Sequence, residues 1–248
     1  MTAVVMNFSG VYGCQNFWQS GAAEIDCSKL SGTDCYLDSS AEREIRKKME
    51  AFSVRGIHFV DSGNTHYMSK LWTDRIAENF SLVVFDHHSD MQPPAFAGVL
   101  SCGSWLKDAL DSNPFLRSVL LVGVGESSAA EIGEAYREKV RIDLERDVSD
   151  AAFPENFSFP ERFFDFPVYI SVDKDVLAES ELKTNWDGGS LSVKNLFKLL
   201  EMIFARGKVL GVDICGEPAA QGNFPDAENL ERSDSINAAL LKFLKDRF

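Results

Sequence analysis

Short, continuously apolar runs alternate with stretches of helical periodicity along this chain, and few architectures accept that pattern. The runs at 3–8 (AVVMNF), 57–60 (IHFV), 82–85 (LVVF), 119–122 (VLLV), 168–172 (VYISV) and 209–214 (VLGVDI) are rich in β-branched residues. A strand without polar alternation has to be covered on both faces, as happens in parallel sheets flanked by helices. Helical patterns lie between the runs at 40–52, 68–78, 104–110, 129–138 and 193–205, and another spans 226–248. Ser192 stands where the last of the internal helices needs an N-cap, and Gly207 where it has to stop. The alternation predicts an α/β protein, a three-layer α/β/α arrangement with a mostly parallel sheet. The loops 147–166 and 217–225 are too short to separate domains, so 1–248 reads as a single domain.

Composition narrows the function. With 25 Lys+Arg against 38 Asp+Glu the chain carries a net charge of −13, which argues against nucleic acid as a partner, because phosphate binding needs a basic face. No apolar run approaches the ~20 residues of a membrane span, so no membrane partner is expected. MTAVVMNFSG has neither a basic stretch nor a small-residue cleavage site, and no signal peptide is expected there. The five cysteines are odd in number and lack Cys-x-x-Cys spacing. Free thiols in a reducing cytoplasm fit that usage better than a disulfide frame or structural zinc.

Polar clusters follow three of the apolar runs. LVVF leads into Asp86-His87-His88-Ser89-Asp90, VYISV into Asp173-Lys174-Asp175, and IHFV into Asp61 and then Gly63-Asn64-Thr65-His66. In open α/β sheets the loops at the carboxyl ends of the strands line the ligand crevice. Alternation along an extended chain puts Asp86, His88 and Asp90 on one side and His87 on the other; it pairs Asp173 with Asp175 and excludes Lys174. The converging set is His66, Asp86, His88, Asp90, Asp173 and Asp175. Four carboxylates packed together repel one another unless cations neutralise them, and two divalent ions balance the charge. Carboxylate and imidazole donors suit Mn²⁺, Fe²⁺ or Zn²⁺, with carboxylate dominance leaning towards Mn²⁺. His58, within a strand, reads as structural, His87 as a packing residue and Cys215 as core. Trp105 and Trp186 flank the site loops and could line the pocket, with packing the default for large aromatics.

These motifs resemble the ureohydrolase (arginase/agmatinase) family. FDHHSD is similar to its Asp-x-His-x-Asp motif, SVDKDVL to its Ser-x-Asp-x-Asp segment, and GNTHYMS to its Gly-Gly-Asp-His-Ser segment in the glycine and the histidine. LLVGVGES, WDGGSLS and the acidic-ended strand GVDICGE follow in the family's order, so the resemblance spans about 60–217. It implies an arginase/deacetylase-like fold and a binuclear manganese site. His66, Asp86, Asp90 and Asp173 would hold one ion and Asp86, His88, Asp173 and Asp175 the other. Asp86 and Asp173 would bridge, and Asp90 would orient the attacking water and take up its proton. The implied reaction is hydrolysis of a C–N bond in a small guanidino, amidino or amide-like molecule.

Two positions depart from the family pattern. Cys102, in Ser101-Cys102-Gly103, stands where the family has a catalytic histidine, and a thiol of ordinary pKa ~8.5 relays protons poorly near neutrality. Gly216 stands where the family has its guanidinium-binding Glu, and the resemblance implies that Glu217, one residue late, could still make the bidentate substrate contact. Two alternatives stay open: a metal-binding relative that has lost catalysis and serves as a ligand-binding module, and a deacetylase-like amide hydrolase, for which a six-ligand set is excessive.

Overall fold

The computed structural model describes residues 3–94, 96, 98–149, 153–218 and 227–248. The strands are β1 (Ala3–Asn7), β2 (Ala22–Asp26), β3 (Tyr36–Leu37), β4 (Ile57–Phe59), β5 (Phe80–Phe85), β6 (Leu100–Ser101), β7 (Leu116–Val124), β8 (Val140–Leu144), β9 (Val168–Asp173) and β10 (Val209–Cys215). Eight of them form one sheet in the order β2-β1-β4-β10-β9-β5-β7-β8, with each pairing parallel. The remaining two, β3 and β6, make a short antiparallel ladder. Helices are α1 (Ser39–Met49), α2 (Met68–Thr73), α3 (Trp105–Ser112), α4 (Glu126–Ala130), α5 (Glu145–Val148), α6 (Phe153–Asn156), α7 (Val193–Arg206) and α8 (Ala227–Lys245).

Each central strand feeds two cores, one on each side of the sheet. On β5, Leu82 and Val84 pack with Ile45, Leu71, Trp72 and Leu106 from α1, α2 and α3. Val83 and Phe85 face the opposite way, towards Leu196, Leu199 and Leu200 of α7 and Leu240 of α8. That two-sided burial is why the central strands read as unbroken apolar runs. The three-layer α/β/α arrangement expected from the sequence is therefore the one observed.

The sequence reading missed two edge strands. AAEID of β2 and VRIDL of β8 are mostly half-exposed or exposed, so they carry polar residues and lack the continuous apolar signature of the centre. The helix expected over 129–138 is α4 followed by a separate 3-10 turn at Glu134–Tyr136, because Gly133 takes extended backbone and breaks the run. The helix expected over 68–78 ends early: Arg75 and Ile76 already donate to the carbonyls three residues back. Asp226, where the final helix was expected to begin, and 219–225 of the loop 217–225 lie outside the described residues. Ser192 caps α7 as expected, its hydroxyl accepting from Asn195 N, and Gly207 ends it.

Strand order brings the functional loops together. β4, β10, β9 and β5 are consecutive neighbours, so their carboxyl ends open onto one crevice.

Candidate metal centre

Parity along the strands decides which side chains enter the crevice. Phe85, Val172 and Ile214 belong to the α7–α8 core, so the next residues, Asp86 and Asp173, and Cys215 face the α1–α3 side. His66 arrives from a 3-10 turn after β4 (Gly63–Thr65). Its Nδ1 lies 2.9 Å from Asp90 Oδ2, 3.2 Å from Asp86 Oδ2 and 3.6 Å from Asp173 Oδ2. His88 Nδ1 lies 2.9 Å from Asp175 Oδ2 and 3.6 Å from Asp86 Oδ1. All six residues singled out from the sequence thus meet around one cavity of about 250 Å³. His87 turns away, its Nδ1 3.8 Å from Glu145 Oε2.

Among the described residues the donor atoms form three overlapping groups, His66–Asp86–Asp90, Asp86–His88–Asp175 and His66–Asp173–Cys215, within each of which the ligand atoms lie within 4.8 Å of one another. Asp86 Oδ2 is buried and has no hydrogen-bond partner among the described residues. A buried carboxylate oxygen left so is costly, and a cation shared between the groups would satisfy it. The residues present therefore fit a pair of divalent ions.

Charge crowding shows in the acids. Burial and the neighbouring Asp175 push Asp173 up to about 7. Burial and Asp86 push Asp175 up to about 6. Burial opposes the charge on His88, but hydrogen bonds to Asp175 and Asp86 override it and raise the imidazole to about 12. His66 is likewise raised, against its burial, by Cys215, Asp86 and Asp90. In the metal-free protein, protons do what cations would do.

Neighbouring residues hold the ligands in place. Trp105 Nε1 donates to Asp90 Oδ2 at 2.5 Å, and Ser171 Oγ lies 2.8 Å from His66 Nε2, which fixes the ring. Asp90 sits in the left-handed region at φ 50°, which Asp tolerates better than most residues. Trp186 lines the cavity, its ring 5.5 Å from that of His88, with Nε1 donating to Asn64 Oδ1 at 2.8 Å. Both tryptophans, packing residues by default in the sequence, are thus part of the centre.

Glu217 is a correction. It does not reach the cavity: its Oε1 accepts from Lys174 Nζ at 2.5 Å and Asn237 Nδ2 at 2.7 Å, and its Oε2 from Gln15 Nε2 at 2.6 Å and Ser233 Oγ at 2.7 Å. The shift of one residue re-aims it beneath the candidate ligand residues, where it pairs with the fully buried Lys174. A side chain at 216 is not an alternative, because Gly216 has φ 81° and a Cβ there would collide with Asp173 Oδ1 and Lys174 N. Cys102 does line the cavity, opposite Cys35, where its backbone N–H donates to Cys35 O at 2.9 Å. The hydrogen bond that the Cys102 thiol donates to Cys35, together with burial, pushes the Cys102 thiol far up. Cys215, read as core, lies at the centre: its Sγ donates to Asp173 Oδ2 over 3.2 Å. Only the pairing of β10 with β9, which no local pattern states, puts it there.

The Arginase family model matches residues 36–217. The chain belongs to the arginase family. An uncharacterized protein of Thermotoga maritima is 28% identical over 243 residues, covering 97% of this chain and 88% of that protein. The agmatine ureohydrolase of Thermoplasma volcanium superposes with a TM-score of 0.66 at 17% identity, covering all of this chain and 92% of that one. A triple mutant of a T. brucei arginase-like protein, bound with Mn²⁺, superposes with a TM-score of 0.60 at 17% identity, covering all of this chain and 91% of that one. At such identities the two superpositions establish the arginase fold.

Two outcomes follow from this geometry. Glu217→Ala leaves Lys174 buried without its counter-charge and should cost ~3–5 kcal/mol of stability, read by denaturant unfolding; unchanged stability with weakened substrate binding would return Glu217 to the substrate. Metal binding has to expel protons from His66, His88 and the raised carboxyls, so affinity for Mn²⁺ should fall as pH drops through about 7 and then about 6. Calorimetry in buffers of different ionisation enthalpy should show buffer-dependent heats; identical heats would contradict the proton release.

Proposed function

We propose that this arginase-family protein is a hydrolase that holds two divalent ions, Mn²⁺ by carboxylate count, and cleaves a C–N bond of a small guanidino, amidino or amide-like molecule. The observation that carries this reading is the shared carboxylate Asp86, which belongs to two of the three donor groups and has a buried oxygen without a hydrogen-bond partner among the described residues. His66, Asp86, Asp90 and Asp173 would hold one ion, and Asp86, His88, Asp173 and Asp175 the other. The ions, when bound, supply Lewis acidity that makes water a competent nucleophile at neutral pH. Asp90, steadied by Trp105, orients the water and accepts its proton. The cavity of about 250 Å³ limits the substrate to a small molecule. Trp186 and Tyr36 contribute apolar surface beside the polar floor.

Cys102 favours a second reading, a slow or inactive relative that binds its ligand without turnover. A thiol held neutral by burial and by Cys35 does not exchange protons near neutrality.

Metal analysis of the manganese-loaded protein should find two ions per chain; one or none would overturn the two-ion reading. Mn²⁺ bound to the folded state alone raises the melting temperature. Asp86→Ala and Asp173→Ala should abolish that gain and His87→Ala should largely keep it, whereas equal loss in all three would contradict the facing of His87.

A panel of guanidino, amidino and acylated-amine compounds, run under saturating Mn²⁺, separates enzyme from binder. Restoring a positioned acid/base group should be worth about 10²–10⁴-fold, so Cys102→His should raise turnover towards that range with little change in metal affinity. Faster turnover by the unmodified protein would mean that the thiol itself takes part, and no turnover by either would favour the ligand-binding reading.

A further inference from the structure

We propose that Cys215 is a metal ligand, its thiolate joining His66 and Asp173 on one ion and giving that position a preference for a softer divalent metal than its neighbour. The proposal rests on the two-ion reading above and changes the ligand set of one position.

Three observations converge. Cys215 is the register partner of Asp173 across the β10–β9 pairing, so both side chains leave the sheet at the same level and on the same face. The ligand atoms of His66, Asp173 and Cys215 lie within 4.8 Å of one another, closely enough to share an ion. His66 is shared between this group and the His66–Asp86–Asp90 group, and its Nδ1 has Asp86 Oδ2, buried and without a hydrogen-bond partner among the described residues, 3.2 Å away. Cys27 offers a contrast: it too is buried in this core, yet it belongs to none of the three candidate ligand groups among the described residues.

The coordination step balances simply. Cys215 Sγ gives up the proton that it now shares with Asp173 Oδ2, a metal–sulfur bond forms, and the proton leaves to solvent. No oxidant or reductant takes part. Sulfur is a soft donor that favours Zn²⁺, Co²⁺ or Fe²⁺ over Mn²⁺, while the all-oxygen-and-imidazole set around His88 and Asp175 keeps the harder preference. Manganese still loads both positions at saturation, and the thiolate alters their order of preference.

Cobalt tests this without any turnover. Metal-free protein loaded with Co²⁺ should bind two ions and show a thiolate-to-cobalt charge-transfer band in the near ultraviolet. Cys215→Ser should lose the band while still binding two ions, and its zinc-over-manganese preference in competition titrations should fall about tenfold or more, the scale on which a changed contact around a metal is felt. Cys35→Ser and Cys102→Ser should keep the band, which carries the assignment even if Cys215→Ser fails to fold. Two bound cobalt ions with no such band would overturn the proposal and leave the two-ion reading standing; loss of the band in Cys102→Ser or Cys35→Ser would also overturn it. Failure to bind cobalt at all would overturn both.

Discussion

Four carboxylates converge in a buried crevice, and their mutual repulsion is the constraint that the surrounding structure answers. Asp173 and Asp175 are pushed towards neutrality in the metal-free protein, and His66 and His88 are held in their charged forms. Divalent ions, held as proposed above, would take the place of those protons. A protein that kept these acids together for stability alone would do better with apolar residues of similar volume. Their retention points to a ligand that needs them.

The scaffold delivers them through two features of parallel sheets. Adjacent strands end at a common level, and the residue after an inward-facing apolar one faces the other side. Beneath the ligands, Lys174 points opposite to Asp173 and Asp175 and is fixed by Glu217, Ser233 and Asn237. The same alternation that aims two acids at the cavity thus buries a lysine below it. Gly216 lets the chain pass close against Asp173, a proximity no L side chain would permit.

Much of this was legible in the sequence because the centre of the sheet is two-sided. The six strands buried on both faces announce themselves, and the ligands follow them directly, so motif and position agree. β2 and β8 were not legible because half-exposed edges carry polar residues. Glu217 was misread for a different reason: its residue type suits a guanidinium, but a one-residue displacement with a positive-φ glycine before it changes its partner. Trp105 and Cys215 lie at the limit of sequence reasoning. The role of Cys215 depends on which strand pairs with β10 and at what register, and that of Trp105 on how the loop after β5 returns to the start of α3; neither is written in local periodicity.

Glu217 also has a bearing on the order in which the molecule assembles. Gln15 and Asn237 are 222 positions apart and hydrogen-bond to each other while both donate to this one carboxylate. Contacts between such remote parts of a chain form against a large loop-closure entropy and set slow folding. The support beneath the Asp-x-Asp turn is therefore complete only when the first and last segments have met. Until Gln15 and α8 have met around Glu217, Lys174 and its carboxylate partner lack part of their hydrogen-bond shell.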